Sequence, residues 1–222
     1  MVQRKGPYMT HPTDATDDGP QSPQLYLITP PQIELSSFPN VLSGIIDVID
    51  IACVRLALAT ADEDDVSRAA DLLRETCHAR DIPLILDTHV RLVEKLGLDG
   101  VHLTDGARTV RHARKELGAD MVVGAYAGAS RHEGLNAGES GADYVALGPL
   151  SDTGLGAGEL AAQDDFQWWS EMIELPIVAE GGLTTQSIEP FAPYTDFFAI
   201  GPEIWSSDTP LEALKALSAP IA

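Results

Sequence analysis

From Gln24 onward the chain alternates short apolar runs with segments of helical period. The apolar runs fall at residues 25–29, 52–59, 83–87, 100–103, 121–124, 144–147, 177–180 and 197–200, which makes eight predicted strands. Strands alternating with helices imply βα units and a parallel sheet. The helical segments carry their own end signals. The acidic run at 62–65 opens a predicted helix over 66–80, where negative charge suits the positive end of the helix dipole. Arg68, Arg74 and Arg80 follow downstream. A second helix, over 109–117, ends at Gly118, a natural left-handed cap, and the next strand begins almost at once; Gly97 and Gly141 repeat this grammar. Eight parallel strands of near-continuous apolar character close most simply into a (β/α)8 TIM barrel, here a single domain over residues 23–222. An open doubly wound sheet is the alternative, and a Rossmann version of it lacks GxGxxG after the first strand. Residues 1–22 are polar, rich in Pro, Asp and Thr, and aperiodic, which predicts a disordered arm.

With 222 residues and 44% hydrophobic side chains, the chain can bury one substantial core. No run approaches the roughly 20 apolar residues of a membrane span, and charges and prolines stand where a signal peptide would be apolar, so a cytoplasmic protein is expected. The formal charge of −20 argues against nucleic acid or anionic membrane as partners, and it makes any anion site a local exception. Cys53 and Cys77 lack CxxC or Cys/His spacing and read as buried free thiols. Trp168 and Trp169 are expected to place one ring on the barrel and the other at a rim or interface, and with the apolar helix faces they leave room for a homodimer.

In such a barrel the chemistry lies at the C-terminal strand ends. Two features stand out there. Gly181 and Gly182, with Gly201 after the last strand, let backbone N–H groups approach an anion, and a short helix starting near Gly201 would point its positive end at the same place. Tight βα turns alone would also account for these glycines. The second feature is a polar set at strand ends, Arg55, Asp87, His89, His102 and Glu180, expected to converge over the mouth as acid–base or metal-holding groups. His102 also reads as a satisfied core histidine. Asp143 is expected to pin a loop.

The stretches Leu25-Tyr26-Leu27-Ile28-Thr29, Gly100-Val101-His102-Leu103, Gly141-Ala142-Asp143-Tyr144 running on to Gly148-Pro149, and Pro176 to Leu183 resemble the corresponding stretches of thiamine-phosphate synthases and the related thiazole tautomerases. The resemblance runs from Leu25 to about residue 205. It implies a (β/α)8 enzyme of thiamine biosynthesis, a transferase that joins hydroxymethylpyrimidine pyrophosphate to thiazole phosphate and releases pyrophosphate with Mg2+ assistance. It places the thiazole phosphate on Thr153, Gly182 and Gly201, while Arg55, His89 and Asp87 are read as a substitute constellation in which Asp87 alone holds the metal.

The departures concern the pyrophosphate half. Where the family has Gln-Leu-Arg-x-Lys, this chain has Arg55-Leu56-Ala57-Leu58-Ala59, and the family's Asn-Asp pair is Asp87-Thr88. The second metal-binding Asp falls near Ala107, with Asp105 close by, and the expected serine after strand five is Tyr126. The family's Thr-Pro-Thr-Lys loop reads Thr153-Gly154-Leu155-Gly156, and the tautomerase histidine falls near Gly128, with His132 further on. Pyrophosphate departure needs cations to neutralise developing charge, so these losses leave three functions open. They are a diverged synthase, a non-catalytic binder of a small phosphorylated heterocycle, and an isomerase of such a ligand using Glu180 or Asp87 as base.

Overall fold

The computed structural model describes residues 22–156 and 158–221. The predicted arm therefore lies outside the described residues except for Ser22. Eight parallel strands, β1 (Gln24–Ile28), β2 (Cys53–Leu56), β3 (Leu84–Asp87), β4 (Gly100–Leu103), β5 (Val122–Tyr126), β6 (Tyr144–Leu147), β7 (Ile177–Glu180) and β8 (Phe197–Ile200), close into a barrel in sequence order, with β8 pairing back onto β1. The helices are α1 (Phe38–Ile46), α2 (Glu63–His78), α3 (Val90–Leu96), α4 (Val110–Leu117), α5 (Arg131–Glu139), α6 (Gln163–Met172), α7 (Thr185–Phe191), α8 (Pro202–Trp205) and α9 (Pro210–Ser218). The fold is a single-domain TIM barrel.

Local chemistry accounts for the element ends. Asp62 caps α2 by accepting from the Asp64 and Asp65 N–H groups, so the helix starts three residues earlier than the apolar period alone suggests. Gly97, Gly118 and Gly141 all take positive φ, as their cap reading requires. Strand β2 is shorter than predicted. Beyond Leu56, Ala57 N–H donates to the Thr29 hydroxyl and Ala59 N–H to the Pro31 carbonyl, so the chain leaves the ladder. Strand β5 instead runs past Gly124 to Tyr126; that glycine is a packing site, where a Cβ would lie 2.0 Å from the Tyr144 ring.

The strand period of two separates the core into layers. One set of side chains, including Leu27, Val54, Leu86, Val101, Val123 and Ala179, faces the helices. The other set, including Tyr26, Cys53, Ile85, Val122, Tyr144, Val178 and Phe197, fills the barrel. Counting two residues onward from Cys53, Ile85, Gly100 and Val178 reaches Arg55, Asp87, His102 and Glu180, so the same period sends four polar side chains into the mouth. Asp143 accepts from Val123 N–H and pairs with Arg114, pinning the start of β6 to β5. Trp169 is buried and Trp168 lies half-exposed beneath Arg131. Both cysteines are buried and free. Among the described residues no helix is long and apolar enough to cross a membrane.

Candidate functional site

Arg55, Asp87, His102 and Glu180 meet at the C-terminal end of the barrel interior. The Arg55 guanidinium grips Glu180 with both terminal nitrogens, at 3.0 and 2.5 Å, across the barrel from β2 to β7. Its Nε faces Asp87 Oδ1 at 3.3 Å, an ion pair without hydrogen-bond alignment, and neither of these two buried atoms has another hydrogen-bond partner. His102 lies beside Glu180, Nε2 to Oε2 at 3.9 Å, and its Nδ1 is 2.8 Å from the Tyr144 hydroxyl. Tyr144 in turn meets the Tyr26 hydroxyl at 2.8 Å, and the Arg55 guanidinium sits 5.8 Å over the Tyr26 ring.

Burial sets the protonation states. It lifts the Asp87 carboxyl to about 6, with Glu180 adding to the rise and Arg55 opposing it. Burial, reinforced by the charge of Arg55, holds His102 well below the usual imidazole range, so this ring stays neutral. For Arg55 burial favours the neutral form, but the carboxylates of Glu180 and Asp87 overcome it and keep the guanidinium charged. Tyr26 and Tyr144 are raised well above the phenol range by desolvation.

His89 does not join this cluster. Its Nδ1 lies 2.8 Å from the backbone oxygen of Asp87, and its ring lines an outer groove of about 400 Å³ with Thr104, Asp105, Thr109 and His112. The reason is local: Thr88 takes φ of +57°, which swings the chain out of the strand direction before residue 89. Asp105 accepts from the Thr109 hydroxyl in that same groove.

A magnesium ion does not suit this donor set. Mg2+ needs near-octahedral oxygen ligands, with protein carboxylates left free to face it. Asp87 is buried against a guanidinium and is lifted towards its neutral form, and Glu180 is held by both terminal nitrogens of Arg55, so neither carboxylate is free to face the ion.

The second region is the loop cluster after β6, β7 and β8. Gly181 and Gly182 have φ of +88° and +69°, and a Cβ on Gly182 would sit 2.1 Å from Ser151 Oγ. Ser151 donates to the Gly182 carbonyl, and Thr153 Oγ1 accepts from Leu155 N–H, which leaves the Thr153 hydroxyl hydrogen unassigned. Gly201 has φ of −146°, outside the left-handed region; it is glycine because a Cβ there would lie 2.9 Å from Ile28 Cβ. Glu203, which sequence reasoning missed, joins the two loops. Its Oε2 accepts from Gly201 N–H at 2.9 Å and its Oε1 from Leu183 N–H at 3.1 Å.

The sequence of residues 25–199 matches the thiamine monophosphate synthase family. This chain belongs to that family. It is 38% identical over 185 residues to the thiamine-phosphate synthase of Rhodospirillum centenum, covering 82% of this chain and 89% of the relative. The thiamine-phosphate synthase of Hyphomonas neptunium is 33% identical over 218 residues, covering 93% and 97%. Among solved structures, the thiamine phosphate pyrophosphorylase of Pyrococcus furiosus superposes with a TM-score of 0.76 at 20% identity, covering 89% of this chain and 95% of that one, a likeness of fold.

Membership in the thiamine monophosphate synthase family supports a role in thiamine biosynthesis. The β2 end, where the chain departs from the family pattern, faces inward. Arg55 spans the barrel to Glu180, and Ala57 packs against the side chains of the barrel interior. Tyr126, at the family's serine position, donates to the Gly148 carbonyl at 2.7 Å and so holds the start of the loop after β6. Two signals could have exposed the residues that were missed. Tyr26 and Tyr144 stand at inward positions of their strands, and Glu203 follows Gly-Pro, where an acidic residue can reach back to free N–H groups.

Proposed function

We propose that this protein acts in thiamine biosynthesis on a small phosphorylated heterocycle of the thiazole-phosphate class, by proton transfer at Asp87. The observation that carries the reading is the loose joint of the charge cluster. Asp87 Oδ1 and Arg55 Nε are buried, 3.3 Å apart and without a hydrogen bond, in a network where Glu180 is firmly held. A buried polar atom left without a hydrogen bond is costly, and the cost falls most heavily on the charged carboxylate, which leaves Asp87 ready to take up a proton.

A carboxyl with a pKa of about 6 is mostly ionised near neutrality and still takes up a proton readily, which is what a general base that becomes a general acid requires. The proton leaves one ring-linked atom of the ligand for Asp87 and returns at another, so no bond other than those to hydrogen is exchanged. Arg55, fixed by Glu180, offers its charge to the electron density that develops. Neutral His102, buttressed by Tyr144, supplies a polar wall without adding charge. Thr153, Gly181, Gly182 and Gly201 would receive the phosphate at the β6–β8 loops.

A second reading, joining hydroxymethylpyrimidine pyrophosphate to thiazole phosphate, is favoured by the 38% identity to a thiamine-phosphate synthase along most of its length. The chemistry separates the two. Calorimetric titration with thiazole phosphate, and with the pyrimidine pyrophosphate in the presence and absence of Mg2+, is the first experiment. Binding of thiazole phosphate alone, with isomerisation lost in Asp87→Asn, supports proton transfer. Mg2+-dependent binding of the pyrimidine with pyrophosphate release establishes the coupling reaction instead, and binding of neither compound overturns both.

A further inference from the structure

The loop cluster after β7 and β8 already holds an anion, and that anion belongs to the chain. Capping of α8 explains why Glu203 accepts from Gly201 N–H, since an acidic residue early in a helix often reaches back to the cap. It does not explain the other contact. Leu183 lies twenty residues earlier, in a different loop, and its N–H is also directed at the Glu203 carboxylate. One carboxylate thus spans two backbone donors from two βα loops, beside Gly182, the arrangement by which a phosphate oxygen pair would be held. Arg55 is committed to Glu180 and Asp87, and the chain as a whole carries −20.

From this geometry we infer that Glu203 is an intramolecular competitor for the phosphate position, and that it sets how strongly the protein distinguishes a phosphate monoester from its neutral alcohol. The inference deepens the proposed function: it rests on reading this loop cluster as the anion end, and it is independent of the chemistry at Asp87. Two anions cannot share the Leu183 and Gly201 N–H groups, so an incoming phosphate must displace the carboxylate. The side chain is only partly buried and its backbone is fixed in α8, so the displacement is a rotation about side-chain bonds. The protein therefore surrenders part of its phosphate affinity in the free state, and the returning carboxylate helps to expel a phosphorylated product.

The test uses inorganic phosphate as the probe, titrated into the full chain while the amide resonances of Leu183 and Gly201 are followed by NMR. Glu203→Ala is expected to bind phosphate about tenfold more tightly than the unaltered protein, with Glu203→Gln in between, because charge-assisted bonds to backbone donors are the stronger ones. Glu189→Gln on α7 removes the same charge from an exposed position and should leave the affinity unchanged, which separates displacement from general repulsion. If Glu203→Ala does not fold, Glu203→Gln decides alone. Unchanged or weaker phosphate binding in the Glu203 variants reduces Glu203 to a helix cap, and so does an equal gain in Glu189→Gln. Absence of phosphate binding in every protein also overturns the inference; isomerisation that persists and still depends on Asp87 would then leave the proton-transfer reading standing.

Discussion

The two regions of the barrel mouth are built by opposite means. The first consists of long charged and aromatic side chains, Arg55, Asp87, Glu180, His102, Tyr144 and Tyr26, which reach across the barrel to one another and leave the Asp87 Oδ1–Arg55 Nε contact without a hydrogen bond. The second, on the β6–β8 side, consists mainly of backbone, with glycines that admit close approach and N–H groups aimed at a carboxylate. The first region pays in desolvated charge, the second in conformational restriction. The first is therefore expected to answer to charge and pH, and the second to shape.

The strongest test of this contrast is Arg55→Met. It leaves Glu180 and Asp87 buried without their cation, so a loss of about 3–5 kcal/mol in urea unfolding is expected near neutral pH. A loss below about 1 kcal/mol would show that the guanidinium does not hold the region together.

On the other side, Gly182→Val forces a branched side chain into φ of +69° and against Ser151. Such strain costs about 3 kcal/mol, and the expected outcome is a folded barrel by circular dichroism that has lost affinity for thiazole phosphate. Retained affinity would remove the glycines from the ligand end.

Asp87→Asn should act in the opposite sense on stability. Its folded pKa of about 6 stands above the ordinary 3.8, so the folded state holds the proton more tightly and ionisation erodes stability as pH rises between those values. The asparagine variant escapes that erosion. Its advantage should be nearly absent near pH 3.5 and should reach about 3 kcal/mol above pH 7, read from unfolding curves across pH, while turnover falls by a hundredfold or more. An advantage independent of pH would contradict the raised pKa.

Tyr144→Phe should give the smallest change. It removes the hydroxyl shared by Tyr26 and His102 and is expected to cost about 1 kcal/mol, with a shift in the His102 ring resonances that a purely apolar role for Tyr144 would not produce.

Much of this architecture can be read in the chain, for reasons that are local. The strand period, the acidic opening of α2 and the glycine caps are short-range signals, and they placed the eight strands close to where they lie. Arg55, Asp87, His102 and Glu180 were expected at the mouth because they stand at the C-terminal ends of predicted strands. Two expectations missed for equally physical reasons. His89, one of the polar residues expected at the mouth from the strand ends, is turned to an outer groove by positive φ at Thr88. The apolar run predicted for strand five stops at Gly124, whereas the strand continues to Tyr126 and the missing side chain of Gly124 makes room for Tyr144 on the neighbouring strand. Neither φ at one residue nor the position of a ring twenty residues away is encoded in local periodicity.

By itself, the sequence determined the closed parallel barrel and its family, because apolar period, caps and turn residues act over a few neighbours and their sum admits few topologies. Tertiary structure alone decided what the polar groups do. Arg55 is paired to a residue 125 positions away, Asp87 is left with a loosely held buried oxygen, and Glu203 covers the amides of a loop it meets only once the barrel has closed. Those outcomes depend on burial and on distances across the closed barrel, which the order of residues does not contain until the last strand pairs with the first.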